Sequence, residues 1–422
     1  MKILVINSGS SSIKYQLLDM DTERVLSTGL VERIGEDCGV LISKAYPGTE
    51  EERLTRLESN IRNHSSGMKM VIKLLIDQEN GVLKDTSEID AVGHRVVHGG
   101  ERFQQPALIT DEVSKAIAAN VPLAPLHNPA NLDGIRVATE LFPGVLQVAV
   151  FDTAFHQTIP QHAFLYALPY ELYEKDRIRR YGFHGTSHKF VAGECARLLA
   201  KPLEECNLIT IHLGNGCSMT AVKNGCSVET SLGMTPLEGL VMGTRCGDVD
   251  PALHAILHRN KNMAIEDIDF MLNRQSGLKG VCGMNDMRDI HLAREKGDRK
   301  AQLAFDMFVY RIKKYIGSYF AVLGRVDAIV FTAGIGENDN EVRESVLSGL
   351  EGFGIVLDKA ANSRHPDDWM RISNPESRVE VLVVRTNEEL EIARQTIHVL
   401  SQVSVVTEKS LGAAMQRSCV AL

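Results

Sequence analysis

Six runs of apolar, largely β-branched residues punctuate the chain: KILVIN at 2–7, DAVGHRVVHGG at 90–100, LQVAVFDT at 146–153, NLITIHLGNG at 207–216, VDAIVFTAGIGEN at 326–338 and VEVLVVRTN at 379–387. Bounded by glycine or polar clusters, these runs predict buried strands. Between them, apolar residues at helical spacing predict helices over 67–78, 188–200 and 300–324. Strands alternating with helices imply an α/β fold.

The pattern also repeats. ILVINSGSSSIKYQ at 3–16 aligns without gaps on LITIHLGNGCSMTA at 208–221, superposing Gly9 on Gly214. Further on, IDAVGHRVVHGG at 89–100 aligns on VDAIVFTAGIGE at 326–337 in the same order, superposing Gly99 on Gly336. Chance similarity and duplication both remain open from two short matches; duplication implies two related lobes facing each other across a nucleotide. At 422 residues the chain exceeds one ordinary core and suits two domains. We expect a boundary near Asp152, where VAVFDT ends a strand. That gives domains of 1–152, completed by a helix at about 387–402, and 153–386. Beyond about residue 403 the pattern is weak, and no function is assigned there.

Composition narrows the partners. The net charge is −8, and Lys and Arg are dispersed, which argues against nucleic acid or an anionic membrane surface as partner. No stretch approaches 18 consecutive apolar residues, so no membrane-spanning helix is expected. The N-terminal segment has no apolar signal core, and a cytoplasmic location is expected. Eight cysteines without a CxxC pair are expected to be free thiols. An anionic substrate would have to be met by local cations.

Such cations accompany glycine-rich turns. The turn Asn7-Ser8-Gly9-Ser10-Ser11-Ser12 follows a strand, with Lys14 just beyond. Its N–H groups and hydroxyls suit a phosphate, although a plain hairpin remains open, and neither a Walker A motif nor GxGxxG is present. Two further glycine turns follow strands, at His212-Leu213-Gly214-Asn215-Gly216 and Gly334-Ile335-Gly336-Glu337-Asn338. Arg95 and Arg245 each sit among glycines and apolar residues, where a buried charge without an anionic partner costs several kcal/mol. An anion clamp is one reading; for Arg95, an edge strand facing solvent is the other. Histidines cluster between residues 94 and 212, and His184 and His212 stand out beside glycine and hydroxyl residues. A zinc pair at His184 and His188 is disfavoured, since Gly185 interrupts the spacing and HExxH is lacking. Asp152 and Glu388 lie at strand ends, where carboxylates hold Mg²⁺ or cap a helix.

Taken together, INSGSSSIKY, GHRVVHGG, PLAPLHNPAN, VAVFDTAFHQTIP, RRYGFHGTSH, HLGNG, SLGMTPLEGLVMGTRCGDVDP, FTAGIGEN and TNEEL resemble the acetate kinases of the acetokinase family, in that family's order from residue 3 to about 400. The resemblance implies two ribonuclease-H-like domains with a duplicated βββαβαβα-type core across a nucleotide cleft, as in the acetate and sugar kinase/actin superfamily. It also implies a homodimer, ATP or ADP as co-substrate, and acetate or acetyl phosphate as the other. Carried over by position, Asn7 and Glu388 would support Mg²⁺, with Mn²⁺ as a substitute. Asp152, His184 and Arg245 would be catalytic. Arg95 would take the acetate carboxylate, and Val97, Leu126 and Pro236 would line its methyl group. Lys14, residues His212 to Gly216, Asp286, Met287, Arg288 and residues Gly334 to Asn338 would hold the nucleotide. VCGMNDMRD departs from the family's pattern at Cys282, Met284 and Asn285, which bears on nucleobase preference. The nearest alternatives are a propionate or butyrate kinase and a pyrophosphate-dependent relative; the more distant one is an actin-like ATP-binding scaffold.

Overall fold

The computed structural model describes residues 1–125 and 127–419, with side chains described to residue 403. The chain forms two compact units, one of Met1–Ala154 together with residues from Glu388 onward, the other of Phe155–Asn387.

The first unit is built on a sheet of eight strands: β1 (Lys2–Ser8), β2 (Ser12–Asp19), β3 (Arg24–Glu32), β4 (Gly39–Ala45), β5 (Arg53–Ser59), β6 (Ala91–Val96), β7 (Ala107–Leu108) and β8 (Leu146–Phe151). Their order is β5-β4-β3-β2-β1-β6-β8-β7. Strands β1 to β5 run antiparallel in sequence, whereas β1, β6 and β8 are parallel, with Ile6 facing His94 and Arg95 facing Val150. Successive side chains of a strand point to opposite faces. On one face Leu4, Ile6, Tyr15 and Val92 pack with Met68 and Val71 of helix His64–Leu75 and with Val137 of helix Asn128–Leu141. On the other, helix Glu388–Cys419 lies against β1, β6 and β8. Gly93 makes this approach possible, because a Cβ there would meet Thr396 Oγ1 at 2.6 Å and Ile392 Cγ2 at 2.8 Å. The helix continues to Cys419, beyond the end expected near 402. The intervening residues contain no proline and only one glycine, so nothing local breaks it.

The second unit repeats the plan with β9 (Asn207–Leu213), β10 (Cys217–Lys223), β11 (Cys226–Thr230), β12 (Ala328–Thr332), β13 (Trp369–Arg371) and β14 (Glu380–Val384), in the order β11-β10-β9-β12-β14-β13. Here a three-strand antiparallel meander, against five strands in the first unit, leads into parallel pairings, β9 with β12 and β12 with β14. Helices Gly185–Leu198 and Arg299–Leu323 pack against this sheet. The expected α/β class and the paired, related sheets are both present. Outside the six runs and the two repeated hairpins, β3, β4, β5, β7, β11 and β13 were missed; β5, β7, β11 and β13 are edge strands and β3 is half-exposed, whereas β4 is mostly buried but interrupted by Ser43 and Lys44.

Candidate active site

In the first unit, the ends of β1, β6 and β8 bring Asn7, Arg95 and Asp152 together. Arg95 Nε lies 3.1 Å from both Asp152 oxygens, its Nη2 lies 2.6 Å from Oδ2, and its Nη1 donates to Asn7 Oδ1 at 3.3 Å. A forked guanidinium on a carboxylate is the geometry with the strongest directional bonding. Arg95 is therefore no solvent-facing edge arginine: 23% of its side chain is exposed, against 1% for Asp152. Burial lowers the arginine's affinity for its proton, but the carboxylates of Asp152 and Glu388 outweigh it and hold the guanidinium charged. Glu388 opens helix Glu388–Cys419, where a carboxylate also suits the positive end of the helix dipole. Burial, opposed by Arg95 and reinforced by Asp152 and Glu389, pushes it up to about 7. Lys14, on β2, meets Glu389 at 2.5 Å.

The turn between β1 and β2 is a hairpin closed by Gly9 N–H donating to Ser12 O at 2.8 Å. Val97 is buried just past β6. Its N–H donates to Asn131 Oδ1 at 3.0 Å, His98 N–H donates to Asn128 Oδ1 at 3.2 Å, and Gly99 N–H to Thr153 Oγ1 at 3.1 Å. Asn131 also donates to Ser8 O, so one asparagine ties the β1 end to the β6 loop. Asn128, Asn131 and Thr153 were not singled out from sequence. Their signal was present in PLHNPAN and FDT, but an asparagine's partners are invisible until the helix is docked. Leu126 lies outside the described residues.

The second unit gathers His184, His188, His212, Ser218, Arg245 and Pro236. His184 stacks on His212 with ring centroids 4.3 Å apart. Its Nδ1 is 2.9 Å from Ser218 Oγ. Arg245 Nη1 donates to Pro236 O at 3.1 Å, and among the described residues Arg245 has no carboxylate partner. Burial, and then Arg274, lowers its pKa. A partly buried guanidinium held only by a carbonyl and the Met242 thioether is suited to an anionic ligand.

A cavity of about 700 Å³ in the same unit is lined by Gly214, Asn215, Asp286, Met287, Arg288, Gly334, Ile335 and Asn338 among others. Its size suits a nucleotide or drug-sized ligand. Three of the sequence segments therefore converge, although 72 residues separate Gly214 from Asp286 and 48 separate Asp286 from Gly334. His212, Leu213, Gly216, Gly336 and Glu337 do not line it. Glu337 turns inward instead, accepting from Ala333 N–H at 2.8 Å and Thr386 N–H at 3.0 Å, while the GIGEN segment forms helix Ala333–Asn338. Asp286 caps helix Met287–Glu295, and Arg288 holds its carboxyl down at about 2. His291 also lines the cavity and was not foreseen; its Nε2 is 2.7 Å from Asp339 Oδ2 and its Nδ1 3.2 Å from Glu341 Oε2. The hydrogen bond to Asp339 raises its pKa, against burial. An isolated histidine on an otherwise polar helix carries no sequence signal of that kind.

The Acetokinase family model matches residues 2–394. An acetate kinase of Desulfotalea psychrophila is 60% identical over 399 residues, covering 94% of this chain and 98% of the relative. The crystal structure of Porphyromonas gingivalis acetate kinase superposes with a TM-score of 0.90 at 45% identity, covering 94% of this chain and 99% of that one. A propionate kinase from Francisella tularensis superposes with a TM-score of 0.86 at 43% identity, covering 93% and 98%.

Proposed function

Since the chain belongs to the acetokinase family, we propose that it is an enzyme catalysing reversible phosphoryl transfer from ATP to acetate, giving acetyl phosphate and ADP. The observation that carries this reading is the 60% identity to an acetate kinase over nearly the full length of both chains. The geometry agrees with it. Acetate is already an anion at neutral pH, so the protein needs no strong base; its work is positioning and charge neutralisation.

In this reading Arg95 anchors the acetate carboxylate, and Val97, Leu126 and Pro236 meet its methyl group. Asp152 fixes the Arg95 fork and organises the acceptor side. His184 and Arg245 donate to the oxygens of the transferring group, where charge accumulates in the transition state. Lys14, the glycine turns, Asp286 to Arg288 and Gly334 to Asn338 hold the nucleotide. Lys14 would exchange Glu389 for a phosphate oxygen. Among the described residues no group of three or more His, Cys, Asp or Glu forms a metal cage. Mg²⁺ in nucleotide sites needs only one or two protein oxygens, the rest coming from water and phosphates. The Asn7 amide oxygen and the half-buried Glu388 carboxylate, beside two further carboxylates, are hard donors that fit it or Mn²⁺. Bound there, the ion supplies charge neutralisation on the phosphate oxygens.

The homodimer is supported by helix Ala252–Lys261, in which no residue is buried although Leu253 and Ile256 are apolar. A cytoplasmic location is part of this reading, because that is where ATP is supplied as donor. No described helix is long and apolar enough to cross a membrane. A propionate preference is the second reading, favoured by the propionate kinase resemblance. One methylene is worth only about 1 to 3 kcal/mol of discrimination.

The test is acyl phosphate formation, trapped as hydroxamate, with Mg-ATP and acetate, propionate or butyrate, and with pyrophosphate replacing ATP. Product with acetate and ATP, lost in Arg95→Ala, is expected. ATP binding with no product from any acid would overturn the activity and favour the scaffold.

A further inference from the structure

His184 occupies a backbone conformation that few residues other than glycine adopt, with φ +56°, at the N-cap of helix Gly185–Leu198. His156 holds the preceding residue, its Nε2–H donating to Phe183 O at 3.0 Å while its Nδ1 accepts from Ser227 Oγ at 2.9 Å. The Cε1 and Nε2 edge of His184 faces Gly216, where a Cβ would lie 3.5 Å from both His184 Cε1 and Arg245 Nη1. Behind the ring stands a row of buried groups. Thr210 Oγ1 is 2.7 Å from His188 Nδ1, His188 Nε2 is 2.7 Å from Ser218 Oγ, and Ser218 Oγ is 2.9 Å from His184 Nδ1. Thr210, His188 and Ser218 are each 0% exposed.

Burial first, then the neighbouring His156 and His212, holds His188 well below the ordinary imidazole value. It is neutral and carries one N–H. Among the described residues Ser218 Oγ has only the two imidazole nitrogens as partners, so its one hydroxyl hydrogen goes to one of them and the row runs in one of two directions. Run from His184 Nδ1–H toward Thr210, it leaves the threonine hydroxyl with only Thr220 O, at 3.5 Å. Run the other way, the Thr210 hydroxyl donates to His188 Nδ1, His188 Nε2–H donates to Ser218, and Ser218 donates to His184 Nδ1. Every hydrogen then sits on a contact of 2.9 Å or less.

We infer that Thr210, His188 and Ser218 are positioning residues that fix neutral His184 as its Nε2–H tautomer, so that it donates to the phosphoryl group without being protonated. The inference deepens the role given to His184 above and rests on that reading. Among the groups facing His184 are His188 through Ser218, the stacked His212 and Arg245 across Gly216. Cys217 beside them stays a thiol, burial pushing it up to about 12. Donation from His184 therefore needs no histidine protonation.

The first measurement is the ¹⁵N spectrum of the full-length protein labelled at histidine, with His184 assigned by its loss in His184→Gln. A neutral Nε2–H tautomer is expected; Nδ1–H would overturn the relay. The second is the pH profile of Thr210→Val, nearly isosteric but without the first donor. We expect kcat roughly fivefold lower at pH 8, the size of one ordinary hydrogen bond, with KM unchanged. The deficit should close below about pH 6, where the imidazolium carries both N–H groups, and Thr210→Ser should restore the wild-type profile. Wild-type kcat in the valine variant at pH 8, or a deficit that does not change with pH, would overturn it. Absence of acetyl phosphate at every pH, with the Nε2–H tautomer present, would strike down the activity and leave the tautomer assignment supported.

Discussion

The two sheets present the same three positions and fill them with opposite chemistry. In the first unit the β1 end carries Asn7, the β6 end Arg95, and Asp152 lies two residues past the Val150 that faces Arg95. In the second, the β9 end carries His212, which faces Thr332 of β12, and Thr386 lies just past β14. One set is an ionic fork, the other a row of hydroxyl and imidazole groups in which Ser187 Oγ joins His212 Nδ1 and Thr386 Oγ1, both at 2.9 Å. Strand order and register were retained while the residues at the strand ends diverged. A shared backbone plan therefore does not assign chemistry; in one sheet the strand ends carry the charges, in the other the charge work falls to Arg245 on a loop.

The ionic fork is where substitution should cost most. Arg95→Ala is expected to lower acetyl hydroxamate formation by about 10³-fold. It should also destabilise the fold by about 3 kcal/mol in urea titration, because the buried Asp152 carboxylate loses the guanidinium that neutralises it. Arg245→Ala is expected to lower kcat by about 10²- to 10³-fold with little change in KM. Its urea midpoint should stay near wild type, since no carboxylate loses its partner. A stability loss as large as that of Arg95→Ala would break the contrast between the two arginines.

Val97→Ala, which shortens the residue next to the fork, should shift the propionate-to-acetate ratio of kcat/KM by about 1 to 3 kcal/mol. An unchanged ratio would remove Val97 from the acceptor pocket. In the second unit, His291 has a folded-state pKa raised first by its bond to Asp339. That stability is fully present below the unfolded imidazole value of about 6.5 and is lost as pH rises through the folded one. His291→Gln should therefore lower the urea midpoint more at pH 5.5 than at pH 8.5. Thr386→Val, which removes one neutral hydrogen bond from the hydroxyl row, should cost only about 1 kcal/mol.

Much of this architecture could be read along the chain. Each of the six apolar runs contains one of β1, β6, β8, β9, β12 and β14, the parallel, doubly covered strands whose side chains are apolar on both faces. Strands β3 and β5 and the short edges were hidden because a strand wet on one side has mixed polarity, and β4 because Ser43 and Lys44 interrupt its apolar residues. At the sites, glycine turns and lone arginines gave the right segments but not their partners. The sequence offered Lys14 and Glu337 equally as nucleotide contacts; folding paired Lys14 with Glu389 and turned Glu337 onto backbone N–H groups.

By itself the sequence determined what local pattern can carry: the α/β alternation, the repeated strand and turn, the identity of the motifs and, through them, the family. Only the tertiary structure decided that Arg95 meets Asp152 across 57 residues, that Ser187 meets Thr386 across 199, and that a buried row of hydroxyls and imidazoles stands behind His184. Proton positions and carboxylate charge depend on which groups share a desolvated space, and that is fixed by packing between residues far apart in the chain.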